Sequence, residues 1–276
     1  MRTRPGRIEM ACPILISVPH GGTDVPPQVQ DRIGLSPNAL AYFSDPESNL
    51  LFNYSSRAAA YSTTTITRLV VDLNRPPYHL PPRHPDGVVK LRTADGTGVW
   101  KEGFIPEISL IHRLLMAHYF PYHALLDRLL EERDIIIAFD CHTMVPVGLP
   151  GQPDAGRRRP AVCLGNNGDA QGKPRARGLT TCPASWIVSL AGMFRQHFPG
   201  EGDVVLNKPF SGGFISNAHY WHKGIPWVQV EVNRGLYELG GSNPRQGVQV
   251  DTGRLSWLRG VVWDCLARFG EEVAGL

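Results

Sequence analysis

The chain has 276 residues, enough for one large domain with its own core or at most two small ones. A hydrophobic share of 42% and a charged share of 19% exclude a disordered chain, and a net charge of +3 gives no footing for a nucleic-acid or membrane-surface partner. The five cysteines (Cys12, Cys141, Cys163, Cys182 and Cys265) form no C-x-x-C pair, and no apolar run approaches the ~18 residues of a membrane span, so a reducing cytoplasm is the expected setting.

The basic N-terminus leads into an apolar run at 13–18, PILISV, which reads as a first strand rather than a signal peptide. The run is short and ends in Pro19-His20 with no small-residue cleavage site. A helical pattern follows at 36–60, then a strand at 64–71, a helix at 106–132 and strands at 134–139 and 161–164. A helix at 183–198, strands at 203–206 and 226–232 and a helix at 250–270 complete the chain. That last helix opens on Asp251-Thr252 and repeats Leu255, Leu258, Val261, Val262, Cys265, Leu266 and Phe269 at helical spacing. Strands alternating with helices predict an α/β fold, a single domain over 1–276 with a mixed, largely parallel central sheet covered by helices on both faces. Two stretches, 76–104 and 143–159, are too long and irregular for plain connectors and mark functional lids or disordered segments. The 24 prolines cluster in the connections and favour stiff, ordered loops.

Residues with useful chemistry collect where the strands stop, which is where α/β sheets place their ligand crevice. VPHGGTD, 18–24, puts His20 after the first strand, and Asp24 is the first acid beyond it. In FDCHTM, 139–144, strand alternation sets Asp140 and His142 on one face and Cys141 on the other, in the core. An acid beside a histidine suits a metal ligand and its orienting partner, and equally a buried histidine satisfied by its neighbour. In VQVEVNR, 228–234, the valines form the buried face and Glu231 looks the other way, near the strand end, where it could act as a general base; Arg234 follows. RLVVDLNRPP, 68–77, supplies Arg68 and the pair Asn74-Arg75, a natural clamp for a carboxylate. LNKPFSGGF, 206–214, supplies Lys208 and the pair Gly212-Gly213, which permits close backbone approach to a ligand.

Other motifs fail. PFSGG has Pro209 where a G-x-S-x-G elbow needs glycine, and GNNGDAQGKP, 165–174, lacks two residues of a phosphate loop. The short basic runs GRRR, 156–159, and KPRAR, 173–177, read as solvated loops, and His112, His118 and His123 read as structural.

Taken in order, PHGGT (19–23), SDPES (44–48), RLVVDLNRPP, PYHALL (121–126), FDCHTM, LNKPFSGGF and VQVEVNRGLY (228–237) resemble the N-formylglutamate amidohydrolase family, itself similar to zinc carboxypeptidases and aspartoacylase. The resemblance implies a zinc-carboxypeptidase-like α/β fold holding one Zn2+, with another divalent metal as the alternative. It implies that His20 and His142 ligate the metal, that Asp140 orients a ligating histidine, and that Arg68 polarises the scissile carbonyl. Glu231 would activate the water, and Asn74 and Arg75, with Arg234 or Lys208, would hold the carboxylates of a small-molecule substrate. The glutamate of the family's His-x-x-Glu hook is absent, and the third ligand falls instead on Asp45, with Glu47 and Asp24 as alternatives. The implied reaction is hydrolysis of an N-acyl amino acid, foremost N-formyl-L-glutamate in histidine degradation. The alternatives are a metallocarboxypeptidase or peptidoglycan-type amidase of the same zinc group, and a non-catalytic amino-acid-binding protein on the same fold.

Overall fold

The computed structural model describes residues 11–45, 47–240 and 242–275; the basic stretch 1–10, with its reading as no part of a signal peptide, lies outside them. Six strands, β1 (Cys12–Val18), β2 (Ala58–Thr63), β3 (Ile137–Met144), β4 (Val162–Gly165), β5 (Val204–Leu206) and β6 (Trp227–Asn233), form one sheet in the order β2-β1-β3-β6-β4-β5. Strands β2, β1, β3 and β6 run parallel, and β4 pairs antiparallel to β6 and parallel to β5. The sheet is therefore mixed and largely parallel, as expected. The chain leaves β1 to one side for β2 and returns on its other side as β3. The gap between the carboxyl ends of β1 and β3 is thus a topological switch point.

Among the described residues seven α-helices cover the sheet: α1 (Pro37–Phe43), α2 (Ser48–Leu51), α3 (Ile108–Leu114), α4 (Phe120–Glu132), α5 (Ala184–Arg195), α6 (Phe214–Lys223) and α7 (Thr252–Ala274). Alternation along the strands sorts the core into two layers. Ile14, Ile16, Val18, Phe139, Cys141, Val228 and Val230 pack with α5 and α7 on one face. Leu15, Ala138 and Trp227 pack with α3, α4 and Ile215 of α6 on the other. Helix α7 buries the apolar series read from its spacing, and Asp251 caps it by accepting from the Arg254 amide at 3.0 Å. None of the described helices is long and apolar enough to cross a membrane.

Two expected elements are corrected. The single helix at 36–60 is two short helices followed by β2, and the strand at 64–71 is absent. Ala58-Ala59-Ala60 favours a helix intrinsically, but β2 lies at the sheet edge, alternates buried and half-buried residues, and is fixed by pairing to β1. The β-branched run after it makes only single bridges, Asp24 with Ile66 and Gly22 with Thr67. It then turns sharply, with the amides of Val70 and Val71 both donating to the Thr67 carbonyl. That turn delivers Arg68, Asp72 and Asn74 to the crevice. Helix α6, in a segment read only for Lys208 and its glycines, is a further element.

Candidate functional site

The face of the sheet that carries Ala138 and Trp227 continues past its helical cover as Asp140 and His142 on β3 and Gln229 and Glu231 on β6. His142 and Glu231 are register partners on these neighbouring strands. His20 comes from the turn after β1. The turn is close-packed: a Cβ at Gly22 would sit 2.2 Å from the Thr65 carbonyl carbon. Asp45 follows α1, with its amide donating to the His20 carbonyl at 3.0 Å and its carbonyl accepting from Ser48 Oγ at 2.6 Å.

These side chains meet at one point. His20 Nδ1 and His142 Nδ1 lie 3.1 Å apart, and Asp45 Oδ2 is 3.6 Å from the first and 3.5 Å from the second. The outer nitrogens are each held by a buried acid. His20 Nε2 is 2.7 Å from Asp72 Oδ1, and His142 Nε2 is 3.0 Å from Asp140 Oδ2. Hydrogen on both Nε2 atoms leaves the two Nδ1 lone pairs and a carboxylate oxygen facing each other in a buried space. Three such donors repel unless a cation or proton sits among them. Bonds of roughly 2.0–2.1 Å to a tetrahedral zinc ion would space its ligand atoms about 3.4 Å apart, so the observed triangle fits a zinc-sized ion. Of the described residues only this trio forms such a cluster. The alternatives for the third position lie elsewhere. Asp24 is exposed, and Glu47 lies beside Glu238 and Arg234 rather than the histidines.

The electrostatics are those of a charge-dense, buried site. Burial works to lower the His142 pKa, but the Asp140 and Asp45 carboxylates raise it well above the ordinary value. Burial alone would raise Asp45, yet its hydrogen bonds to His142 and His20, with Arg68 nearby, hold it well below the usual carboxylate range. Glu231, 6% exposed, is pushed up by burial to about 7, helped by Asp45 and opposed by His142 and by Gln229, whose amide donates to Oε1 at 2.6 Å. Arg68 bridges Asp45 Oδ1 at 3.5 Å and Asp72 Oδ2 at 3.0 Å.

A cavity of about 430 Å3 opens over the triangle, and His20, Asp45, Arg68, His142, Glu231 and Arg75 all line it. Arg75 pairs with Asp86 at 2.8 Å. Arg234, 2% exposed, also reaches the cavity; it pairs with Glu238, donates to the Tyr42 carbonyl at 2.8 Å, and keeps Nη2 without a partner. Gly212 lines the cavity, but Lys208 is exposed and outside its wall. Asn74 and Gly213 line the cavity as well. Asn74, read as a carboxylate donor, gives its Nδ2 to Asp140 at 2.9 Å, and its Oδ1 accepts from the Ile215 amide at 2.8 Å. The backbone at Gly213 also approaches Asn74 closely, where a Cβ would lie 2.2 Å from Nδ2.

Residues 12–238 match the family model described as N-formylglutamate amidohydrolase. The chain belongs to that family. It is 30% identical over 242 residues to the N-formylglutamate deformylase of Pseudomonas aeruginosa, a match that covers 82% of each protein. Its fold is that of the N-formylglutamate amidohydrolase of Ralstonia eutropha JMP134, with a TM-score of 0.72 at 18% identity over 96% of both chains. A gene product of Agrobacterium tumefaciens shares it with a TM-score of 0.68 at 15% identity, over 95% of this chain and 90% of the other.

Several residues of this family member's site were not singled out from the sequence. Asp72, within RLVVDLNRPP, is fully buried and holds His20, Arg68 and Lys90 together. Lys90 and Asp86 come from the 76–104 stretch, and Arg159 and Gln152 from 143–159; all four line the cavity. Both long loops are thus ordered walls, and the reading of GRRR as wholly solvated is corrected at its last residue. Arg159 is 8% exposed, held by Asp154 at 2.7 Å and by Gln152 at 2.6 Å. The length of the loops was the signal; which of their residues turn inward is set by contacts distant in sequence.

Proposed function

We propose that this protein is a zinc-dependent amidohydrolase that adds water across the formyl C–N bond of N-formyl-L-glutamate, releasing formate and L-glutamate, in the setting of histidine degradation in the cytoplasm. The observation that carries the reading is the Nδ1–Nδ1–Oδ2 triangle of His20, His142 and Asp45 with Glu231 opposite, at the floor of a cavity in a chain of this family. His20, His142 and Asp45 would hold the ion. Bound there, zinc supplies Lewis acidity, polarising the amide carbonyl and lowering the pKa of water to roughly 7.

The chain's own groups supply the rest. Gln229 occupies Glu231 Oε1 and leaves Oε2 to take the proton of the attacking water, then pass it to the departing nitrogen. A carboxyl poised near neutrality suits both halves of that transfer. Arg68, fixed between Asp45 and Asp72, donates to the oxygen that gains charge as the carbonyl is attacked, an effect of a few kcal/mol per donor. Asp140 and Asp72 keep the two imidazoles in the Nε2–H form. Arg75 and Arg234 both line the cavity and support a substrate with two carboxylates, since each guanidinium can donate to one.

The test is formate release from N-formyl-L-glutamate by zinc-loaded protein, compared with N-acetyl and peptide substrates. Glu231→Gln should take up zinc with near wild-type affinity while kcat falls by roughly 10²–10⁴-fold, the usual range for a general acid–base. A fully active Glu231→Gln protein sinks the mechanism. Preference for a peptide substrate would move the assignment to a peptidase of the same zinc group.

A further inference from the structure

Behind the site lies a partly buried array of ionisable groups for which the reaction has no direct use. His123 of α4 and His219 of α6 stack with ring centroids 5.2 Å apart, and His123 Nδ1 is 2.9 Å from His219 Nε2. His219 Nδ1 is 2.8 Å from Asp127 Oδ1, which the exposed His222 also meets at 3.1 Å. At the inner end His123 Nε2 is 3.0 Å from the Leu73 carbonyl oxygen.

The direction of these bonds follows from the atoms. A carbonyl only accepts, so His123 Nε2 carries hydrogen and donates to Leu73. In the neutral ring Nδ1 then accepts from His219 Nε2–H, so the bond to Asp127 needs a second proton on His219 Nδ1, an imidazolium that burial works against and the Asp127 carboxylate favours. Burial lowers the His123 pKa to about 4, which keeps that ring neutral and its Nδ1 free to accept. The array thus ends, with a defined polarity, on one peptide group, Leu73–Asn74.

The other half of that peptide points into the site. The Asn74 amide donates to Asp72 Oδ1 at 2.9 Å, the same oxygen that takes His20 Nε2. The Asn74 side chain donates to Asp140 Oδ2, the oxygen that takes His142 Nε2. Both imidazoles of the triangle are therefore oriented by acids that lean on Asn74. Asn74 in turn is held from behind by α6 through the Ile215 amide and by His123 through the Leu73 carbonyl. A peptide whose carbonyl accepts a strong bond also donates more strongly from its N–H, so the array both fixes and polarises the contact with Asp72.

We propose that Asp127, His219 and His123 are positioning residues that set the metal affinity of the His20–His142–Asp45 triangle by clamping the Leu73–Asn74 peptide from behind. The inference rests on the reading of that triangle as the metal site, and its test reads binding rather than turnover. Zinc dissociation constants are measured by competition with a chromophoric chelator for wild type, His123→Phe, His123→Gln and Asp127→Ala, with circular dichroism to establish that each is folded. His123→Phe keeps the ring volume but removes the donor to Leu73, and should weaken zinc binding at least tenfold, the range for groups that orient metal ligands. His123→Gln can still place an N–H on Leu73 and should stay within about threefold of wild type. Asp127→Ala, at the partly exposed outer end, should lose about threefold or more and stands in if His123→Phe does not fold. Wild-type affinity in His123→Phe, equal losses in His123→Phe and His123→Gln, or an unchanged Asp127→Ala each overturn the inference. Wild-type protein that takes up no divalent ion overturns both it and the metal reading, so the two failures are distinguishable.

Discussion

Asp72 gathers four donors on two oxygens. Oδ1 accepts from His20 Nε2 and the Asn74 amide, and Oδ2 from Arg68 at 3.0 Å and Lys90 at 2.9 Å. With no exposure to solvent, the carboxylate is stable only because two cations and two N–H groups replace its water. Burial would raise its pKa, but Lys90 and Arg68 take it well below the ordinary value. Asp72→Asn removes the charge and turns an amide N–H towards at least one existing donor. Arg68 and Lys90 then share only Asp45 and Asp86. Breaking a buried ion pair by one partner costs about 3–5 kcal/mol. Urea denaturation of the metal-free Asp72→Asn protein should therefore show a loss of that order, and zinc affinity should drop as His20 loses its anchor. A variant as stable as wild type would mean that water or a rearranged Asp86 already serves Lys90.

Strands β1, β3 and β6 were legible because each is an apolar run bounded by polar residues. Their carboxyl ends carry His20, His142 and Glu231, and parallel pairing brings the three together. Asp45, the proposed third ligand, was pointed to by resemblance alone, since nothing in a short helix end marks such a role. Helix α6 was not legible: Gly212-Gly213 read only as a place of close backbone approach. Its start is instead fixed by a tertiary contact in which the Ile215 amide finds Asn74. That contact makes Gly213 a sharp test of how tightly the element docks. A Cβ there would lie 2.2 Å from Asn74 Nδ2 and 2.3 Å from Oδ1. Asn74 cannot swing away without releasing Asp140 and Ile215. Overpacking of this kind costs about 1–3 kcal/mol. Gly213→Ala should lose stability in that range and lose zinc affinity with it, measured by the same denaturation and chelator titrations. Lost stability with intact zinc affinity would show that α6 moves while Asn74 stays.

Across the whole molecule the site is a place where burial works against charge, and the balance shifts with pH and metal. In the metal-free protein Glu231 has a folded pKa of about 7 against an ordinary 4.5. Between those values the folded chain holds a proton that the unfolded chain has released. Its contribution to stability is therefore full below pH 4.5 and is lost as pH rises to about 7. His142, also raised, acts in the same direction at higher pH. Zinc at the proposed site should reverse the slope, because its ligands must be free of protons and binding becomes tighter as they are released. An ion present at 100 times its dissociation constant adds about 2.7 kcal/mol to the folded state. Thermal melts of chelated protein should thus fall from pH 5 to 7.5 relative to Glu231→Gln, in which this proton is absent. Melts with zinc should rise above the chelated curve by a margin that widens over the same range. Parallel curves with and without zinc, or a chelated wild-type slope that matches Glu231→Gln, would remove the link between this buried carboxyl, the metal triangle and the stability of the fold.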